Sequence, residues 1–288
     1  MRNRYNRCMR PLAIAALSSL MALALCACPE AKPGGVNAAI GSGDASQAMT
    51  SSAVPQTPPQ GAQRVTLKTT DGWQLAGWYW TAAAKPAPGI ILLHQRGKDK
   101  SSWGNFPALL VKQGYNVLAI DLRGHGESLA PGGRHIGVDD LQDADYAAML
   151  KDVAAADQFL STQPGVDSDR IGIIGASIGA NLAIMYLAGD RRVRTAVCLS
   201  PGLDFRGLRP MEFMKQVDKR PLYLIASKGD DYSAKTADAL SQAGVVEGPK
   251  SLRLFDGKAH GTDMLAANPG LAQTIAGGWL LNYLPPKR

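Results

Sequence analysis

Cysteine and histidine are scarce in this chain of 288 residues, with four of each. Their scarcity argues against a protein stabilised by disulfides and against a metalloprotein. Cys8, Cys26 and Cys28 lie within the first 28 residues, which leaves Cys198 without a partner. A disulfide framework is therefore excluded, and the apolar surroundings of Cys198 in TAVCLSP predict a buried structural thiol. No group of His, Cys, Asp and Glu residues has the spacing of metal ligands, so neither a metal nor a cofactor is expected.

A dense run of basic residues is also missing. The formal net charge is +7, but four of the positive charges, Arg2, Arg4, Arg7 and Arg10, precede Cys28 with no acid among them. Without these four arginines the net charge is +3. This mild charge, with no basic cluster along the sequence, argues against a nucleic acid partner.

The first 27 residues are predicted to be a signal peptide. The basic segment MRNRYNRCMR precedes an apolar stretch, PLAIAALSSLMALALCAC, that is shorter than the roughly 20 residues of a transmembrane helix. LCAC at 25–28 resembles the box of bacterial lipoproteins, in which small residues precede a lipidated cysteine. That resemblance implies a lipid on Cys28, which follows Ala27, rather than on Cys26, which follows the bulky Leu25. A plain secretory signal and an uncleaved anchor are the alternatives.

The lipoprotein box implies a protein anchored by its lipid in the cell envelope, at the outer membrane or periplasmic face if the cell is Gram-negative. Residues 28–63 are rich in Pro, Gly, Ser and Ala and are predicted to form a disordered tether, because they cannot bury enough apolar surface to fold. Residues 64–288 are predicted to form one domain.

Apolar strands alternate with helices through residues 64–288, which predicts an α/β fold: a mostly parallel, twisted sheet of about eight strands with helices on both faces. Asp71-Gly72, between two alternating runs, predicts an antiparallel hairpin at the start. Ser101 or Ser102 is expected to cap a helix over 101–114, and a second helix is expected over 139–160. Residues 201–220 are too few for a large lid, so an open site is expected.

GASIG at 175–179 places one serine between two glycines, directly after the apolar strand RIGII and directly before the helix IGANLAIMYLAG. A strand that turns into a helix without a loop needs a strained residue at the turn, and Gly175 and Gly179 remove side chains that would collide there. Ser177 would then project above the carboxyl end of the strand, where ligands bind in open α/β sheets. The pattern predicts a serine nucleophile.

With ILLHQRG, AIDLRGHGES, ASKGDDYS and GKAHGTDML, this motif resembles the α/β-hydrolase superfamily, especially small dienelactone-hydrolase-like and esterase-like members. The resemblance implies that Ser177 is the nucleophile, His260 the general base and acid, and an aspartate the group that orients the histidine. The family pattern favours Asp230 and leaves Asp231 as the alternative. Dienelactone hydrolases proper use a cysteine nucleophile, so the serine argues against their substrate.

The resemblance further implies an oxyanion hole formed by the backbone N–H groups of Gln95 and Ile178. His94 is expected to shape that loop, His125 to be structural and His135 to be an ordinary loop residue. The expected activity is that of a carboxylesterase, a monomer that cleaves small to medium esters through an acyl-enzyme. The alternatives are a peptidase or amidase similar to prolyl oligopeptidase, and a catalytically silent binding lipoprotein of the envelope.

Overall fold

A computed structural model describes residues 56–243 and 250–287 of the chain. The predicted signal peptide, the lipid site at Cys28 and most of the predicted tether lie outside these residues. The contacts described with the domain begin at Gln56, whose carboxamide and backbone bond to Asp99, Lys100 and Glu127. None of the helices in the described ranges is both long enough and apolar enough to cross a bilayer.

Eight strands form a single sheet, as predicted. They are β1 (Gln63–Lys68), β2 (Gln74–Trp80), β3 (Ala87–Leu93), β4 (Asn116–Ile120), β5 (Val166–Ala176), β6 (Val193–Leu199), β7 (Leu222–Ser227) and β8 (Lys250–Phe255). Their order across the sheet is β1-β2-β4-β3-β5-β6-β7-β8. β2 runs antiparallel to both of its neighbours, β1 and β4, and its pairing with β1 confirms the initial hairpin. The other pairs are parallel, so the carboxyl ends of β3 to β8 meet at one edge.

The helices cover both faces of the sheet. They are α1 (Phe106–Lys112), α2 (Asp143–Ala147), α3 (Leu150–Ser161), α4 (Ile178–Gly189), α5 (Met214–Val217), α6 (Asp231–Gln242), α7 (Asp263–Ala267), α8 (Leu271–Gln273) and α9 (Leu280–Tyr283), with a π-helical stretch, Thr274–Trp279, between the last two. On β3, Ile91 packs in the core shared with α3 and α4, whereas Ile90 packs in the core shared with α1 and α9. Successive strand residues thus bury opposite faces, so the strand is apolar throughout.

Two helix predictions need correction. The helix expected over 139–160 is two helices, α2 and α3, because Met149 N–H bonds to Tyr146 O at 3.0 Å and tightens the chain into a turn between them. Tyr146 and Met149 are both fully buried, so this turn brings both side chains into the core. The helix expected over 101–114 is a 3-10 turn, Lys100–Trp103, followed by the separate helix α1, and the residue that caps the turn is Asp99 rather than Ser101 or Ser102.

Cys198 lies within β6 and is fully buried, as predicted. Burial raises the pKa of its thiol far above the ordinary value, because the charged thiolate is poorly solvated there. A buried thiol of this kind is expected to be structural rather than reactive. Residues 200–221, which connect β6 to β7, contain only the 3-10 turn Pro210–Phe213 and the short helix α5.

Candidate active site

Ser177 occupies the turn between β5 and α4 in a strained backbone conformation. Its φ of 54° and ψ of −114° lie in a region that residues other than glycine rarely adopt. The backbone N–H of Ser177 donates to Leu199 O at 2.8 Å, which ties the turn to the end of β6. Strain of this kind costs roughly 1–3 kcal/mol and persists only where the surrounding structure enforces it.

The two glycines beside Ser177 are required by close backbone contacts. A Cβ on Gly175 would lie 2.0 Å from the carbonyl oxygen of Gly179, and one on Gly179 would lie 2.2 Å from that of Leu93. Both distances are far below van der Waals contact, and the obstructing atoms belong to the backbone, which cannot rotate away. Glycine is thus needed here for space, so that α4 can start directly against β3 and β5.

Asp230 and His260 form the polar pair at the carboxyl edge. Asp230 follows β7 and immediately precedes α6, whereas His260 lies in the loop after β8. The Nδ1–H of His260 donates to Asp230 Oδ2 at 2.7 Å. The carboxylate is largely buried, with 15% of its side chain exposed, and the imidazole is more open, at 42%. Asp231 is the exposed first residue of α6, so of the two candidate aspartates the structure brings Asp230 to the histidine.

Short contacts connect the histidine loop to the serine turn. Ser200 follows Leu199, the residue that binds Ser177 N–H, and the hydroxyl of Ser200 accepts from Gly261 N–H at 3.0 Å. Among the described residues, neither the Ser177 hydroxyl nor His260 Nε2 makes a hydrogen bond. The hydrogen bond between a catalytic serine and its histidine is often long in a free enzyme and shortens when substrate binds.

Gln95 lies beside Ser177 because of strand register. Leu93 on β3 pairs with Gly175 on β5, so Gln95 and Ser177 are each two residues beyond a matched pair on adjacent parallel strands. The predicted second oxyanion donor, Ile178, is the first residue of α4. The backbone N–H of Ile178 therefore lies at the positive end of the α4 dipole, and strand register brings Gln95 to the same edge of the sheet.

The side chain of Gln95 has a role that the sequence did not indicate. Its Oε1 accepts two hydrogen bonds from Thr262, from the backbone N–H at 3.0 Å and from the hydroxyl at 2.9 Å. Gly261 packs against the same carboxamide, and a Cβ there would lie 2.8 Å from it. Because Gln95 is nearly fully buried, these bonds fix the loop that carries His260 to the loop after β3.

His94 holds the Gln95 peptide in place. Its Nδ1–H donates to Gln95 O at 2.8 Å, and its Nε2 accepts from Leu122 N–H at 3.0 Å, so a neutral imidazole satisfies both partners. The ring packs against His125 with centroids 4.8 Å apart. Burial lowers the pKa of His94 to about 4, and burial together with the neighbouring His94 lowers the pKa of His125 to about 4. Both rings are neutral at pH 7, whereas His135 is exposed.

A buried ion cluster supports the loops after β3 and β4. The Lys100 ammonium lies 2.7 Å from Asp121 Oδ2, 2.6 Å from Glu127 Oε2 and 5.0 Å from the centre of the Trp78 ring. Lys100 and Asp121 are fully buried. Removing one member of such a cluster leaves an unpaired buried charge and typically costs about 3–5 kcal/mol. The sequence analysis did not predict this cluster, although both of its acids, Asp121 and Glu127, lie within AIDLRGHGES.

Three positioning residues were not predicted from the sequence: Ser200, Thr262 and the side chain of Gln95. The one local signal for Ser200 is that it directly follows an apolar strand, as Ser177 does; its φ of 53° is visible only in the structure. No described group of three or more His, Cys, Asp or Glu side chains converges in a way that could hold a metal ion.

Comparisons with known proteins identify the family. The model of the alpha/beta hydrolase family matches residues 90–285, so the chain belongs to that family. Among curated proteins it is similar to thiohydrolase aneE of Aspergillus aculeatus, 28% identical over 167 residues that make up 57% of this chain and 50% of that protein. It is also similar to thiohydrolase apmlB of Arthrinium phaeospermum, 31% identical over 144 residues, 49% of this chain and 43% of that protein. The chain thus spans about half the length of these curated relatives.

Solved structures share the fold. Esterase Pf2001 of Pyrococcus furiosus superposes with a TM-score of 0.61 and 23% identity, over 77% of this chain and 90% of that one. Dienelactone hydrolase of Anabaena variabilis superposes with a TM-score of 0.59 and 18% identity, over 78% and 99% of the two chains. At these identities the likeness extends to the fold alone, and hydrolase activity is supported at the level of the family.

Proposed function

We propose that this protein is a serine hydrolase that cleaves carboxylic esters or thioesters through an acyl-enzyme, with Ser177 as nucleophile, His260 as general base and acid, and Asp230 as the orienting carboxylate. The observation that carries the proposal is the 2.7 Å hydrogen bond between His260 and Asp230, at the sheet edge where the strained turn exposes Ser177.

The geometry supports a defined sequence of proton transfers. Because His260 donates its Nδ1–H to Asp230, its Nε2 carries the lone pair and can take the proton of Ser177 as the hydroxyl attacks the acyl carbonyl. The N–H groups of Gln95 and Ile178 would bind the oxygen that becomes negative. His260 then protonates the leaving alcohol or thiol, and a water activated by the same Nε2 releases the acid.

The substrate class is inferred from the site and from the relatives. The connection over 200–221 contains only short helical turns, which supports an open site that receives small to medium acyl groups. Names among the similar proteins include an esterase and two thiohydrolases. On the strength of these names we propose an ester or thioester as the substrate and keep an amide as the alternative.

Active-site labelling tests the proposal. A fluorophosphonate probe should label the wild-type protein and fail to label Ser177→Ala, whereas Ser241→Ala, which removes an exposed hydroxyl of α6, should label normally. A series of p-nitrophenyl esters and acyl thioesters of increasing chain length should then define the acyl preference. Equal labelling of Ser177→Ala and wild type would refute the assigned nucleophile. Absence of both labelling and turnover would instead favour a silent binding protein.

We also propose that the protein is a monomer anchored in the cell envelope by a lipid on Cys28. Cells fed a labelled fatty acid should incorporate it into the wild-type chain and into Cys26→Ser, and should not incorporate it into Cys28→Ser. If only Cys26→Ser lost the label, the lipid would be assigned to Cys26. An unlabelled wild-type chain would instead favour a plain secretory signal or an uncleaved anchor. Size-exclusion chromatography tests the monomer.

A further inference from the structure

A basic cavity lies at the edge of the sheet opposite the candidate active site. Its volume is about 570 Å³, within the range of roughly 300–1,000 Å³ that small-molecule sites occupy. It is formed where β6 and β7 begin, beside the first fully buried residues of β5. Five cations and one carboxylate line it: Arg170, Arg191, Arg194, Lys219, Arg220 and Asp218.

The arginines of this cavity are held mainly by backbone carbonyls. Arg220 donates to Asp190 O at 2.7 Å, to Gln216 O at 2.9 Å and to Val217 O at 3.1 Å. Arg194 donates to Asp169 O at 2.7 Å. A carbonyl dipole orients a guanidinium but does not neutralise its charge.

Three of the arginines that line the cavity lack an acidic partner among the described residues. Across residues 56–243 and 250–287, Arg191, Arg194 and Arg220 form no ion pair with an acid, and Arg170 is 3.9 Å from Asp167. The pKa of Arg220 lies below its ordinary value, first because burial disfavours the charged form and then because Arg191 lies nearby, although Asp218 and Asp190 act in the opposite direction. The cavity is therefore a site where an anion would relieve repulsion among cations.

One wall of the cavity is apolar. Tyr283 and Leu284, at the end of the last helix, line it together with Pro221 and Pro285. A site that combines guanidinium groups with an aromatic wall suits an anionic group attached to an organic body. Guanidinium groups bind phosphate through paired hydrogen bonds, and several of them together favour a doubly charged phosphate over a single carboxylate.

The geometry points to a second ligand site in this cavity, which takes a phosphomonoester or pyrophosphate group carried by a small organic molecule or by a lipid headgroup. The site is independent of the proposed hydrolase activity. Ser177 lies six residues beyond Ile171 along β5, about 20 Å away at the rise of an extended strand.

The test uses the full-length chain with Cys28→Ser, so that no attached lipid can hold it on a membrane. Inorganic pyrophosphate is titrated by calorimetry, and sedimentation is measured with phosphatidylcholine vesicles with and without phosphatidic acid. The variant Arg191→Ala/Arg194→Ala removes two side chains that pair with no acid in the described part of the chain. Arg134→Ala is the control, because Arg134 is likewise exposed and bonds only to a carbonyl.

Saturable pyrophosphate binding that weakens at least tenfold in the double variant but not in Arg134→Ala would support the site. If phosphatidic acid vesicles also sediment the protein in an arginine-dependent way, the phosphate belongs to a lipid headgroup; if they do not, it belongs to a soluble compound. Binding of neither probe, or equal binding by the double variant and wild type, would overturn the proposal. Turnover of a soluble p-nitrophenyl ester should be the same in all these variants, so the outcome is separate from that of the hydrolase proposal.

Discussion

Replacing Asp230 with Asn tests the orientation of His260 most directly. The two side chains have almost the same size, but the amide can present an N–H to the imidazole. To keep a hydrogen bond at the observed 2.7 Å, the ring would place its proton on Nε2, which removes the lone pair that must accept the Ser177 proton. The positive imidazolium formed during the reaction would also lose its counter-charge.

The size of the effect follows from the environment of the pair. In serine triads with a buried aspartate, the same change lowers kcat by roughly 10⁴, or about 5 kcal/mol of transition-state free energy. The Asp230 carboxylate is 15% exposed and the imidazole 42%, so water partly replaces the lost partner. We therefore expect kcat to fall by about 10² to 10⁴, with KM nearly unchanged.

The assay is steady-state hydrolysis of a p-nitrophenyl ester, with circular dichroism melts to confirm folding. Asp231→Asn is the matched control, since it makes the same chemical change one residue later. Because Asp231 is an exposed acid in the first turn of α6, where the helix dipole favours a negative charge, a loss of roughly 0.3–1 kcal/mol of stability is expected there, with kcat within about twofold of wild type. A normal kcat in folded Asp230→Asn, or equal losses in the two variants, would refute the assigned orienting role.

Three further predictions follow from the same geometry. Gly179→Ala places a methyl 2.2 Å from Leu93 O and should lower the melting temperature by roughly 5–10 °C; an unchanged melt would contradict the packing. Gln95→Ala removes the acceptor of two hydrogen bonds from the histidine loop and should lower kcat/KM about 10- to 100-fold in ester assays. A loss of less than twofold would mean that the link is only structural. Burial lowers the pKa of His94 from 6.5 to about 4, so the unfolded chain binds the proton more tightly and the contribution of His94 to stability should fall by about 3 kcal/mol as pH drops through that interval, in addition to the loss caused by His125. His94→Gln should flatten this loss in thermal melts, His135→Gln should not, and equal slopes would count against the buried neutral ring.

The sheet and the serine turn were predictable because their signals are local. Apolar strands alternating with helices indicate a parallel sheet, and a strand that passes directly into a helix at GASIG requires the turn found at Ser177. The two candidate aspartates were not distinguishable on local grounds, since both follow β7. The exact residue at which α6 begins decides which carboxylate reaches His260, and boundaries of that kind depend on tertiary packing.

Other features depend on contacts between distant parts of the chain. The side chain of Gln95 meets Thr262 across 167 residues of sequence, and no pattern near either residue indicates that contact. The basic cavity illustrates the same difficulty, because Arg170, Arg191 and Arg220 are too far apart along the chain to form a basic run. Arg191 and Arg194 belong to the short run RRVR at 191–194, but nothing near that run indicates that Arg170 and Arg220 join it in the folded chain.

The direction of a parallel sheet explains why these two candidate sites lie where they do. Every parallel strand ends at the same edge, so the loops after β3, β5, β7 and β8 bring Gln95, Ser177, Asp230 and His260 together, although they span most of the domain sequence. The same geometry collects the segments that enter the strands at the other edge, where the arginines gather. Because the rigid strands between the edges are buried on both faces, substitutions in exposed side chains at one edge should leave the geometry of the other unchanged. Independent effects of the Arg191→Ala/Arg194→Ala and Asp230→Asn changes would be the expected consequence of this arrangement.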